Sequence, residues 1–219
     1  TLLENILSLN SKVIDMGEVN FLEESIKEIK DIKDVYEIYH KKVINQFKSS
    51  LIYTDKSLFN YMYCPIISNY FPGAKIINCT RNPLDNILSI YKANFLNQPF
   101  SFSLSDIAKL YINYFETMEE YTFRFSENIY EYKYEELVNN PNYIIPEIIQ
   151  WLDWDWNEKY LLPHKNKRNV FTASSAQIRK KFYSSSIGLW KEYKDLLEPA
   201  IDIIKTSKTL RTKISDLIK

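Results

Sequence analysis

The stretch Asn69 to Phe95, NYFPGAKIINCTRNPLDNILSIYKANF, decides how the rest of the chain is read. Pro72-Gly73 marks a turn, and Ala74 to Thr80 is a short apolar run of the kind a buried parallel strand presents. A helix begins at once after it. Asn82 suits the N-cap, Pro83 the first helical position and Asp85 the positive end of the dipole, while Leu84, Ile87, Leu88 and Tyr91 share one face. A strand running straight into a helix N-terminus, with Arg81 at the junction, makes a place for an anion such as a phosphate. Ser89, two turns on, can add a hydroxyl there. Without wider context the same two residues read equally well as a surface ion pair and a helix filler.

The 219 residues suit one α/β domain over 1–219, large enough to bury a full core. Lys plus Arg equals Asp plus Glu at 28 each, so no global field draws in nucleic acid or an anionic membrane, and an anion site must be local. Cys64 and Cys79 fall in apolar surroundings, which predicts buried free thiols and a reducing compartment. No run of eighteen apolar residues and no basic-then-apolar leader is visible, so the expected location is cytoplasmic and no membrane span is expected. With three glycines in the chain, no Gly-rich phosphate loop occurs.

The order of residues in FPGAKIINCTRNPLDNILSIYKANF resembles the 3′-phosphate-binding segment of sulfotransferases, which take a sulfuryl group from 3′-phosphoadenosine 5′-phosphosulfate (PAPS). The nearest likeness is to the bacterial tetratricopeptide-linked and tyrosylprotein-type members. The resemblance implies that Arg81 and Ser89 hold the donor's 3′-phosphate. It also implies a fold: a P-loop-NTPase-like three-layer α/β arrangement with a central parallel sheet flanked by helices.

The remaining segments follow in the family's order. Thr1 to Leu9, TLLENILSL, carries the stripe of a buried helix. In the family a strand and a Pro-Arg-Ser-Gly-Thr loop precede such a helix and cradle the 5′-phosphosulfate; here Thr1 alone matches the loop's tail, so the first strand and phosphate loop are expected to be missing from the 219 residues. Lys12 to Asp15 reads as a strand, and Glu18 stands beyond its end, where open α/β sheets bind ligands. As a lone residue Glu18 reads as a solvated loop carboxylate. GEVNFL, however, resembles the family's Gly-Glu segment, which implies a general base at Glu18. Glu23 to Lys48 is amphipathic, one helix or two. His40 reads as a surface histidine, with no second ligand at metal spacing.

Leu51 to Thr54 reads as another buried strand, followed by Asp55-Lys56-Ser57. YTDKSLFNYMYCPIISNYFP resembles the family's Asp-Lys segment, which implies that Lys56 neutralises the leaving phosphate, although Ser57 stands where the family favours Pro. A helix is expected over Phe59 to Tyr70. Ser105 reads as the cap of a long helix reaching about Phe125, and Ile129 to Lys133 as a strand. Tyr134-Glu135-Glu136-Leu137 resembles the segment whose Tyr lies against the donor's adenine, which assigns that place to Tyr134; packing and dipole compensation are the alternative. Pro141 to Leu152 reads as a helix, with Trp151, Trp154 and Trp156 packing the domain's end.

His164 to Tyr193 is locally basic and rich in hydroxyls. Its TASSAQIRKKFYSSSIGLWKEY resembles the C-terminal donor-binding loop, which implies contacts from Ser174, Arg179 and Lys180, with Ser174 counted beside Glu18 and Lys56 in the catalytic set. The helix from Pro199 onward is expected to cover the sheet.

The resemblance thus implies a sulfotransferase using PAPS as co-substrate, with no metal and an unidentified hydroxyl acceptor. Three alternatives stay open: a P-loop phosphotransferase, which needs a Gly-Lys-Ser/Thr loop that is not visible; a non-catalytic nucleotide-binding or interaction module; and a fragment with no fold of its own.

Overall fold

The computed structural model describes residues 1–95, 98–166, 182 and 184–212. Among them four short strands form two parallel pairs. β1 (Val13–Asp15) pairs with β2 (Ile52–Thr54), and β3 (Ile76–Thr80) pairs with β4 (Ile129–Lys133). The helices are α1 (Leu2–Leu7), α2 (Phe21–Glu28), α3 (Val35–Gln46), α4 (Cys64–Tyr70), α5 (Pro83–Ala93), α6 (Leu104–Arg124), α7 (Tyr134–Asn139), α8 (Pro141–Trp151) and α9 (Glu198–Thr206).

Alternation along a strand separates the two covering layers. On β4, Tyr132 packs with Ile6 and Leu7 of α1 and with Ile145, Ile148 and Ile149 of α8. Ile129, on the opposite face, packs with Cys64 of α4 and Met118 of α6. A third apolar group lies outside this layer, where Leu84, Ile87 and Leu88 of α5 meet Ile107 and Ala108 of α6 and Ile201 and Ile204 of α9. The C-terminal helix therefore packs on α5 and α6 rather than on the sheet, because α6 already covers that face.

The β3–α5 unit forms as its local chemistry dictates. The Asn82 side chain accepts from the backbone N–H of Leu84 and Asp85 at 3.0 and 3.2 Å, and Pro83 occupies the first turn. Asn94 ends the helix in the left-handed conformation, with φ of 50°.

Several local expectations are corrected. The cap of α6 is Ser103, extended and accepting from Asp106 N–H at 3.2 Å, while Ser105 lies within the first turn. The segment after Phe59 divides into a 3₁₀ turn (Asn60–Tyr63) and α4, because Pro65 fits the start of a helix and not its interior. Residues 21–46, by contrast, follow the second of the two forms expected, two helices joined by a 3₁₀ turn at Ile32–Asp34.

The strands expected to be buried are only half-buried. Leu51 is 80% exposed, and on β3 the buried residue is Asn78, which is held by Tyr114 and in turn donates to Glu131. Cys79 is exposed, whereas Cys64 is buried as expected. One feature accounts for these differences. Among the described residues β2 pairs only with β1 and β3 only with β4, and the facing edges border a slot of about 730 Å³. Its walls include Leu7, Ile67, Met118 and Trp154, and Thr1, Lys56 and Cys79 also line it.

Candidate active site

The loops leaving β1 and β2 are fastened to one another. Met16 N–H donates to the Thr54 carbonyl and Lys56 N–H to the Gly17 carbonyl, both at 2.9 Å. Gly17 has φ of 69°, a left-handed conformation that strains any residue with a Cβ. The turn brings Glu18 over Lys56, whose Nζ donates to Glu18 Oε1 at 2.7 Å. Behind Lys56 stands Glu4 of α1, a buried carboxylate. Its Oε2 lies 3.9 Å from Lys56 Nζ, and its Oε1 accepts from the Thr54 hydroxyl at 3.3 Å.

Asp55 secures the other flank, accepting from the Tyr39 hydroxyl at 3.0 Å, Asn60 Nδ2 at 2.8 Å and Ser57 N–H at 3.2 Å. Burial pushes the Asp55 carboxyl above its ordinary value, against the pull of these donors. Burial, reinforced by the Asp55 charge, also pushes the Tyr39 phenol well above its usual range.

A second cluster forms where β3 and β4 hand over to α5 and α7. The Arg81 guanidinium lies over the Tyr134 ring, 5.0 Å from its centroid, and one Nη donates to the Ser186 carbonyl at 2.8 Å. Arg81 Nε is buried and has no hydrogen-bond partner among the described residues. A buried donor left unsatisfied is costly, so this nitrogen suits an acceptor brought by a ligand. The surrounding frame is tight: Asn82 N–H donates to Glu135 at 2.8 Å, and the Tyr111 hydroxyl donates to the Arg81 carbonyl at 2.9 Å. Asp85, also buried, accepts from Gly188 N–H at 2.6 Å and Trp190 N–H at 2.9 Å.

The structure thus brings Glu18 together with Lys56, and Arg81 together with Tyr134. Thr1 borders the slot that Lys56 also lines, and serves as N-cap of α1 without a side-chain cap bond. Ser89 lies on the exposed face of α5. Ser174, Arg179 and Lys180 lie outside the described residues. Glu4, Glu135 and Ser186 were not singled out from the sequence. Glu4 alone carries a signal there, a carboxylate inside the apolar run LLENIL.

The model of the sulfotransferase family matches residues 27–158, more than half of the chain. The chain belongs to the sulfotransferase family. An uncharacterised protein of Aquifex aeolicus (strain VF5) is 35% identical over 155 residues, which make up 69% of this chain and 20% of that protein. The chain spans about a fifth of the length of this curated relative. Among solved structures, the sulfotransferase domain from the curacin biosynthetic pathway superposes with a TM-score of 0.60 at 16% identity, over 99% of this chain and 92% of the other. Mouse sulfotransferase SULT7A1 complexed with PAP gives 0.51 at 16% identity, over 95% and 92%. These likenesses establish the sulfotransferase fold, a P-loop-like α/β architecture, in agreement with the parallel pairs described above. No helix among the described residues is long and apolar enough to cross a membrane.

Proposed function

We propose that this chain carries the donor-binding and catalytic core of a sulfotransferase that moves a sulfuryl group from PAPS to an acceptor hydroxyl. The observation that carries the reading is the Lys56–Glu18 pair, an acid and a base 2.7 Å apart at the ends of adjacent parallel strands. Sulfuryl transfer, like phosphoryl transfer, is an in-line displacement in which the protein mainly positions reactants and stabilises charge. The acceptor oxygen bonds to sulfur as the bond from sulfur to the 5′-phosphate oxygen breaks. Glu18 takes the acceptor's proton, and Lys56 neutralises the negative charge gathering on the leaving oxygen. The products are a sulfate ester and 3′-phosphoadenosine 5′-phosphate (PAP). A sulfuryl group carries less negative charge than a phosphoryl group, so ammonium and backbone donors suffice and the reading uses no metal.

The open Nε of Arg81 supports a 3′-phosphate site there, with Ser89 proposed from the helix that follows and Tyr134 beside the base. The nucleotide in the mouse structure is in keeping with this assignment. Ser174, Arg179 and Lys180 are proposed to close over the donor. The slot between β2 and β3, with apolar walls and two edges that have no strand partner among the described residues, supports the reading that a strand could lead into Thr1.

The test is binding of PAP followed by thermal unfolding of the full-length protein. Ligand at about a hundred times its dissociation constant adds about 2.7 kcal/mol of stability. The expected result is a clear upward shift that Arg81→Ala abolishes. A folded protein that shows no shift overturns the donor assignment.

A further inference from the structure

Glu4 takes no part in the reaction as written above, yet it is 6% exposed and faces Lys56 from inside the molecule. Burying a carboxylate is unfavourable unless it is paired, and the partners of Glu4 among the described residues include the Thr54 hydroxyl and the Lys56 ammonium. Both of these belong to the end of β2 and the loop that follows. One turn of α1 therefore fixes the loop that delivers the lysine.

Lys56 has two anionic neighbours, and they differ in freedom. Glu18 is the closer one, but its side chain is 57% exposed on the turn after β1. An exposed carboxylate can rotate away at little cost. Glu4 is the more constrained of the two: it is 6% exposed, borders the slot and is held by the Thr54 hydroxyl at the end of β2. This distinction matters because Glu18 has a second oxygen and an exposed position from which to meet an acceptor hydroxyl, and any turn toward it loosens its hold on Lys56.

We propose that Glu4 is a positioning residue, the fixed counter-charge that keeps the Lys56 ammonium aimed at the reacting group once Glu18 has turned to the acceptor. The proposal rests on the roles given to Lys56 and Glu18 above. The other titratable groups facing this cluster are the Cys79 thiol of β3, across the slot, and the Asp55 carboxylate, the latter held by Tyr39 and Asn60.

The experiment uses full-length protein labelled with 15N-lysine, with PAP as probe, and Lys56→Arg to assign the resonance. A lysine ammonium gives a resolved signal when an ion pair holds it. The Lys56 signal is expected to survive in Glu18→Gln and to broaden away in Glu4→Gln, both with and without PAP, and to return in Glu4→Asp. In turnover, Glu4→Gln is expected to lower kcat about tenfold while PAP affinity and donor KM stay within about twofold, as befits a group acting only on the transition state. Thr54→Val, which keeps the carboxylate but removes its hydroxyl donor, controls for local packing. Retention of the signal in Glu4→Gln, or an equal loss in Thr54→Val, overturns the proposal. Absence of PAP binding in the wild type sinks the donor reading instead, and leaves the ammonium measurement to decide the role of Glu4 by itself.

Discussion

At the scale of single residues, the proposed activity rests on one ion pair, Lys56 with Glu18. If Lys56 acts on charge that develops in the transition state, Lys56→Ala lowers turnover by roughly a hundredfold or more with nucleotide affinity retained. An unchanged kcat would remove Lys56 from the mechanism. Asp55, next in the chain, makes a prediction in pH. Burial raises its folded value above the unfolded one, so the native state binds the extra proton between the two, and stability falls as pH rises through that window just above the ordinary carboxylate range. Its contribution is full at lower pH and lost toward neutrality. Urea unfolding of wild type and Asp55→Asn from about pH 3 to pH 7 is expected to show the wild type losing ground to the variant as pH increases. The places of Glu18, Lys56 and Arg81 just beyond strand ends were legible in the sequence, because each follows a short apolar run within a few residues. The part played by Glu4 was not, because a carboxylate in the first turn of a helix reads as dipole compensation. Its burial is imposed by the end of β2, fifty residues later.

At the scale of elements, what was legible is what is locally determined. β4 spans Ile129–Lys133 as the sequence indicates, and α5 starts at Pro83 behind an Asn82 cap, because an apolar run, a capping side chain and a proline act within a few residues. Elements whose limits depend on distant neighbours were displaced. Ser103 and Ser105 are both adequate caps by type, and the choice between them falls to the extended backbone at Ser103. Ser103→Ala is therefore expected to cost about 1 kcal/mol in unfolding free energy, and Ser105→Ala only a few tenths. Equal losses would mean that the helix start shifts to use either serine. The exposure of β2 and β3 was illegible for a related reason: an apolar run reports the environment a strand is suited to, and the slot along both edges decides what it receives.

At the scale of the whole molecule, the two strand pairs are joined through helices on either side and, among the described residues, not by backbone pairing across the slot. This makes Cys79 a reporter. Burial pushes both thiols up, that of Cys64 to about 11, but Cys64 is enclosed whereas Cys79 is exposed, so alkylation at about pH 8 is expected to mark Cys79 and spare Cys64. In a chain extended ahead of Thr1 by a strand that enters the slot, labelling of Cys79 is expected to slow at least tenfold, in proportion to lost access. The same rate in both chains would remove that strand from the slot. The anion cluster has a separate consequence, for folding. Arg81 reaches Ser186 across 105 residues and Asp85 reaches Gly188 across 103, so this corner closes only after most of the polypeptide has been synthesised and collapsed. On the donor reading proposed above, nucleotide binding would then report completion: chains cut between Asp85 and Ser186 are expected to lose PAP binding, and PAP is expected to protect intact chains from proteolysis.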